Sequence, residues 1–191
     1  MAKKNSKYKD VHHDLILKCK KKDQRGQMQI YKLYYKAMFN TSLRIVGNRA
    51  DAEDIMQESF LDAFEKLDQY AEEGSFGGWL KRIVVNNSLD HINKKKLESP
   101  YTEKLEVIKM EDSSNEEQEV RLHDIKKALN KIKDEYRIII SLFLYEGYDH
   151  EEISQILGIS YNLSRTRYSR AKQKLTEEIE NIQKERSFKW A

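Results

Sequence analysis

One proline and seven glycines punctuate 191 residues. So few breakers leave few places where a helix must stop, and the chain is otherwise rich in Lys, Glu, Ile, Leu and Gln, all compatible with helices. An all-α protein is expected. With 39% apolar and 35% charged residues, a chain of this length can bury one or two small cores but not a large one. The pattern predicts two small helical domains joined by a flexible linker, the second containing a helix-turn-helix. There is no run of about 18 apolar residues, and no apolar stretch follows the basic residues at the amino terminus, so neither a membrane span nor a signal peptide is expected. Cys19 is the sole cysteine. It cannot form an intramolecular disulfide, and a reducing cytoplasm is its natural setting.

Residues 1–24 read as a loosely held basic tail with a short apolar patch at Val11, Leu15, Ile16 and Leu17. A first helical domain spans residues 25–97. In it Ile30, Leu33 and Tyr34 share a helix face, and Gly47 is the expected terminator. Asp51 is placed to cap the next helix, where Ala52, Ile55, Met56, Phe60, Ala63, Phe64 and Leu67 recur at helical spacing. The opposite face is acidic, with Asp51, Glu53, Asp54, Glu58, Asp62 and Glu65. A solvated polar face accounts for those acids without any function.

Gly74, Gly77 and Gly78 then crowd into five positions, which predicts a flexible loop holding Tyr70 and Phe76. Helix is expected to resume near Gly78 or Trp79. Trp79, Leu80, Ile83, Val84, Leu89 and Ile92 can face a core, leaving Lys81, Arg82, Asn86, Asn87, His91 and Lys94, Lys95 and Lys96 as a polar, basic surface. Aromatic rings beside a basic helix suit a single-stranded nucleic acid, with cations on phosphates and rings on exposed bases. Burial of Phe76 and Trp79 in a core is the competing reading.

Residues 98–122 read as a linker: Pro100 lies there, and residues 111–119 carry five acids and no base. A solvated tether is the plain account, and an acidic mimic of nucleic acid the other. The second domain covers residues 123–185, before a tail at 186–191. Leu129, Ile132, Tyr136, Ile139, Ile140, Phe143 and Leu144 predict one amphipathic helix ending at Glu146 and Gly147. Asp149 with Glu152 makes a capping-box pattern for a short helix that buries Ile153, Ile156 and Leu157 and is closed by Gly158. Ile159 follows as an apolar plug, and Ser160 caps a helix bearing Arg165, Arg167, Arg170, Lys172 and Lys174. No acid lies between Ser160 and Thr176. A helix, a tight turn and a basic helix form the unit that lays its second helix in the DNA major groove. His12 and His13 are adjacent rather than spaced as metal ligands, and neither a phosphate-cradling loop nor a nucleophile motif is present. No enzyme activity, metal or cofactor is therefore expected.

The stretch Asp51-Ala-Glu-Asp-Ile-Met-Gln-Glu-Ser-Phe60, followed by Phe76-Gly-Gly-Trp-Leu80, Ile83, Asn86 and Asp90, resembles region two of the extracytoplasmic-function sigma factors. Tyr148-Asp-His-Glu-Glu-Ile-Ser-Gln-Ile-Leu-Gly-Ile-Ser160 with Arg165, Arg167, Arg170-Ala171 and Leu175 resembles their region four. The resemblance implies a cytoplasmic, non-catalytic specificity subunit that binds bacterial core RNA polymerase and promoter DNA, as duplex and as melted strand. It implies that Asp51, Asp54, Gln57 and Glu58 meet the clamp coiled coil of the polymerase's largest subunit. For the minus-ten element it implies Tyr70, Ser75, Phe76, Trp79, Lys81, Arg82, Asn86, Asn87, His91, Lys94, Lys95 and Lys96, with Asn86 as the leading base-reader.

For the minus-thirty-five element the resemblance points to Ser160, Tyr161, Asn162, Ser164, Arg165, Arg167, Tyr168, Arg170 and Lys172, with Tyr161, Asn162, Ser164 and Arg165 nearest the bases and Arg167, Arg170 and Lys172 on phosphates. Sequestration by an anti-sigma factor is common in that family. The chain departs from the family's pattern at Asn87, where an apolar residue is usual, at Asn93, often arginine, and at Asn162 and Ser164, often glycine and a β-branched apolar residue. These departures point to an unusual promoter or to targeting by a separate protein. A free-standing helix-turn-helix regulator leaves the acidic helix and the aromatic loop unexplained, and a third reading is a helical adaptor or anti-regulator whose charged faces meet only protein.

Overall fold

The computed structural model describes residues 10–98 and 116–189. Most of the expected linker, the first nine residues of the expected tail and the last two of the chain lie outside them. Among the described residues there are helices and no strands: α1 (His13–Lys20), α2 (Gln24–Val46), α3 (Arg49–Glu65), α4 (Phe76–Glu98), α5 (Glu116–Lys131), α6 (Asp134–Ile140), α7 (His150–Leu157) and α8 (Tyr161–Lys189). They divide into two compact units, the first carrying α1, α2 as far as Leu43, α3 from Ala50, and α4, the second carrying Arg44–Arg49 and α5 to α8.

The first unit is built where the apolar stripes of α2, α3 and α4 meet. Ile30 and Met38 of α2, Met56, Phe60 and Ala63 of α3, and Phe76, Leu80 and Val84 of α4 are buried in one cluster, with Leu67 and Tyr70 from the connecting segment. Leu33 does not join its expected partners. It stands half-exposed on the outer face of α2, because Ile30 and Tyr34 already define the inward stripe. Gly47 ends α2 with a φ of 76°, the left-handed conformation that glycine adopts without a Cβ clash.

Three expectations for this unit are corrected. Residues 13–20 are no loose tail: α1 buries Ile16 and Cys19 in the same core cluster. Burial raises the Cys19 thiol pKa, and the charge of Asp23 adds to the effect, so the thiolate is scarce. Asp51 lies in the first turn of α3 rather than at its cap, since the helix starts at Arg49. The glycine-rich stretch does not delay α4, which begins at Phe76 and includes Gly77 and Gly78. A Cβ on Gly77 would stand 2.8 Å from Tyr34 Cε1, so the missing side chain serves close packing of α4 on α2.

In the second unit, Ala128, Leu129 and Ile132, Ile139 and Ile140, Leu142, Ile153, Ala171 and Ile182 are buried. The single amphipathic helix expected here is two, and α5 begins at Glu116, inside the stretch read as linker. The break after Lys131 carries no glycine or proline. Its signal is Asp134 and Glu135, acids in the first turn of α6 where the helix dipole favours them. After Ile140 the chain widens into a π turn over Ser141–Tyr145, in which Glu146 N–H donates to the Ser141 carbonyl at 3.0 Å. The wider turn rotates Leu144 out of the expected stripe and leaves it exposed.

Phe76→Ala should cost about 3–5 kcal/mol by leaving a cavity in the first unit, whereas Leu33→Ala on the outer face should change stability by less than about 0.5 kcal/mol. Urea unfolding of the full chain, followed by hydrogen exchange of the α2–α4 amides, checks both.

Candidate nucleic-acid and protein interfaces

On α3 the inward residues are Ala52, Ile55, Met56, Ser59, Phe60 and Ala63. Asp54, Gln57, Glu58, Leu61 and Glu65 are exposed on the other side and fall three or four positions apart, so they form one stripe. Leu61, at 66% exposed, was missed by the sequence reading. It is out of phase with the buried stripe and in phase with Asp54 and Glu58, which was the available signal. A face dominated by carboxylates suits a protein partner better than the phosphates of a nucleic acid.

Asp51 sits apart from that stripe. Its Oδ2 lies 3.3 Å from His91 Nε2 and 3.2 Å from Lys95 Nζ, which ties the start of α3 to α4. Two residues expected at the DNA surface are thereby paired with one expected at the polymerase surface. Asn87 is likewise a tie. Its amide donates to Ser59 Oγ at 3.1 Å and to Asp62 Oδ2 at 3.0 Å. The Asn87 bond is the chief reason that the Asp62 carboxyl titrates below its ordinary value, with Lys66 adding to it against some desolvation. A polar residue at this helix position is thus matched by polar partners on α3.

The loop before α4 is better ordered than its glycines suggest. Tyr70 and Phe76 are only 4% and 1% exposed, so neither ring offers a face to a base. They pack with Tyr34 and Trp79, with ring centroids 5.5–5.7 Å apart. The Tyr70 hydroxyl donates to the Gly74 carbonyl at 2.5 Å, and Ser75 Oγ accepts from Gly78 N–H at 3.1 Å. Trp79 is half-buried against this cluster and Lys81 is also half-buried, whereas Ser75, Arg82, Asn86, Lys94, Lys95 and Lys96 are exposed. Arg82 and Asn86 are one turn apart on the outer face of α4.

In the second unit the expected capping box is present. Asp149 Oδ1 accepts from Glu151 N–H and Glu152 N–H, both at 2.8 Å, and Glu152 Oε2 accepts from Asp149 N–H at 2.9 Å. Gly158 closes α7 at a φ of 63°, and Ser160 Oγ accepts from Leu163 N–H at 3.2 Å to start α8. The turn between them aims the exposed residues Tyr161, Asn162, Arg165, Arg170 and Lys172 away from the unit's core. The Arg165 guanidinium lies 5.9 Å from the Tyr161 ring centroid.

Ser164 does not belong with that outward set. It is fully buried and hydrogen-bonded to His150 Nδ1 at 3.0 Å, so it fixes α8 against α7 instead of facing solvent. Tyr168 is half-buried on Phe143 and His150, with Lys172 Nζ 4.9 Å from its ring centroid, and burial raises its hydroxyl pKa. Arg167 reaches to 3.6 Å from Glu135. Leu163, 41% exposed at the start of α8, is a further outward residue that the sequence reading did not name.

Residues 30–98 match the Sigma-70 region 2 family, and residues 122–175 match the Sigma-70, region 4 family. The chain is 30% identical over 179 residues to the ECF RNA polymerase sigma factor SigW of Bacillus subtilis, covering 87% of this chain and 96% of that protein. It is 33% identical over 144 residues to the ECF RNA polymerase sigma factor SigE of Mycolicibacterium smegmatis, covering 72% of this chain and 55% of the relative. Among solved structures, the sigma factor RpoE in complex with the anti-sigma factor NepR from Bartonella quintana matches with a TM-score of 0.62 at 25% identity, over 80% of this chain and 96% of that one. CnrH in complex with the cytosolic domain of CnrY shares the fold, with a TM-score of 0.56 at 22% identity.

Asn87→Ala should move the Asp62 pKa up toward the ordinary carboxylate range. A depressed native pKa contributes stability above the unfolded-state value and loses it as pH falls through the native one. The variant should therefore be less stable at neutral pH and lose less stability on acidification. NMR titration of Asp62 with parallel unfolding at neutral and acid pH measures both.

Proposed function

The chain belongs to the extracytoplasmic-function sigma factors of bacterial RNA polymerase, and from that membership we propose how its surfaces divide the work of transcription initiation. A sigma factor recruits core polymerase to promoters and favours the melted state. The chemistry of RNA synthesis stays with the polymerase, and this chain acts as a non-catalytic specificity subunit. It works in the cytoplasm, where polymerase does. In keeping with that, no helix among the described residues is long and apolar enough to cross a membrane.

The α3 stripe of Asp54, Gln57, Glu58, Leu61 and Glu65 is the docking surface for the clamp coiled coil. Asp51 supports it through His91 and Lys95 rather than standing in it. On α4, Arg82 and Asn86 with the basic end at Lys94 to Lys96 take the minus-ten strand. Tyr70 and Phe76 act from beneath, as the packing on which Ser75 and Trp79 rest. On α8, Tyr161, Asn162 and Arg165 read the minus-thirty-five element, and Arg170 and Lys172 hold phosphates. Ser164 is matched by His150, so its polarity does not weaken base reading. That removes part of the reason to invoke a separate targeting protein. An anti-sigma factor is the expected regulator, as one of the similar structures is of a sigma factor in complex with an anti-sigma factor.

The acidic stripe carries this reading over a free-standing DNA-binding regulator. A carboxylate face with one exposed leucine repels DNA, and such a regulator has no use for it. Reversing charge with Asp54→Arg and Glu58→Arg should lower affinity for bacterial core polymerase by about 100-fold or more, because each places like charges in contact across the interface. Duplex binding by α8 should persist. Unchanged co-purification of the double variant with core polymerase contradicts the docking assignment. Duplex affinity should also fall with salt, and Arg170→Ala with Lys172→Ala should lessen the slope of log K against log salt by about 2, as fluorescence anisotropy across salt concentrations would show.

A further inference from the structure

Asp10 precedes α1 and is only 5% exposed. A buried carboxylate is costly unless its oxygens are met by donors, and here two backbone amides meet them. His12 N–H donates to Oδ1 and Phe76 N–H donates to Oδ2, each at 2.7 Å. The first bond helps start α1. The second spans 66 positions and takes the first amide of α4, a donor that has no partner within its own helix. It also sets a negative charge at the positive end of the α4 dipole.

The same amino-terminal segment holds the loop at a second point. His13 Nδ1 and Lys20 Nζ lie 3.6 and 3.7 Å from the Glu72 carboxylate, and Glu72 has a φ of 58° that a residue with a Cβ seldom adopts. Ile16 and Cys19 fasten α1 to the core, so these contacts come from a fixed element. Ser75, between Glu72 and Phe76, sets the first turn of α4: its carbonyl accepts from Trp79 N–H at 3.1 Å, beside the Gly78 bond to its hydroxyl.

We propose that Asp10 is a positioning residue for promoter reading: by holding the Phe76 amide it sets where α4 begins, and so where Ser75, Trp79 and Asn86 stand against the minus-ten strand. The proposal rests on the assignment of α4 to that strand. Without the carboxylate, the Phe76 amide is a buried donor with no acceptor, and the strain is relieved by fraying the first turn of α4. Ser75 and Trp79 move with that turn. The α3 stripe is held by Met56 and Phe60 instead, and it stays in place.

The test uses the full chain with bacterial core polymerase on two promoter libraries, one randomised at the minus-ten element and one at the minus-thirty-five element, with open complexes recovered and sequenced. Asp10→Ala should form open complexes about tenfold less well and show a flattened minus-ten preference, while core affinity and minus-thirty-five preference stay within about twofold of native. Asp10→Asn, which keeps the shape and loses the charge, should fall between, and it carries the comparison should the alanine variant not fold. A uniform fall in every readout, core affinity included, would show a role in folding alone and overturn the proposal. So would an unaltered minus-ten preference. If the native chain itself shows no minus-ten preference, the assignment of α4 fails, and the proposal with it.

Discussion

Phe76 is the residue on which the first unit turns. Its ring, almost wholly buried, is packed by Tyr34 of α2, Tyr70 of the preceding segment and Trp79 of its own helix, and its amide is held by Asp10. Burying this ring with its aromatic neighbours removes apolar surface from water and offsets part of the cost of ordering the loop around it. The consequence reaches both surfaces of the unit. With α4 anchored at its first residue, its outer face presents Arg82 and Asn86. Its inner face presents Asn87 and His91 to α3, which leaves the α3 carboxylates away from that seam free to face solvent as one stripe.

Charge is segregated across elements that share a core. A carboxylate stripe and a basic, polar helix face would repel and attract the same DNA if they pointed the same way. The helices keep them apart because each has only one apolar face, and that face must be buried. Where the two sets of side chains do meet, at Asp51 with His91 and Lys95, they neutralise one another. The second unit uses a different device: a capped short helix, a left-handed glycine and a buried His150–Ser164 pair fix the angle at which α8 leaves the turn.

Much of this was legible in the sequence. The 3.6-residue spacing in α3, the Asp149–Glu152 box, Gly47, Gly158 and the acid-free start of α8 are local signals, and each has its expected counterpart in the structure. What stayed hidden depends on contacts between elements distant in the chain. Three glycines near residue 76 read as a flexible loop because their local preference is for turns, but Gly77 serves the approach of Tyr34 and the loop is held by Asp10. The amino-terminal residues read as a tail because a helix of eight residues is marginal alone, and only burial of Ile16 and Cys19 makes it stable. Asn87 and Ser164 read as departures from the family's pattern that pointed to an unusual promoter or to a separate targeting protein. Each has a partner, Asp62 in one case and His150 in the other, that no spacing rule connects to it.

The most direct test of the account is transcription by core polymerase, with and without this chain, on sheared genomic DNA, with the 5′ ends of the transcripts mapped. The account predicts initiation at a small set of discrete sites that appear only when the chain is present. Those sites should share two upstream elements at a constant separation, one read by each unit. Initiation no more localised than that of core polymerase alone would contradict it.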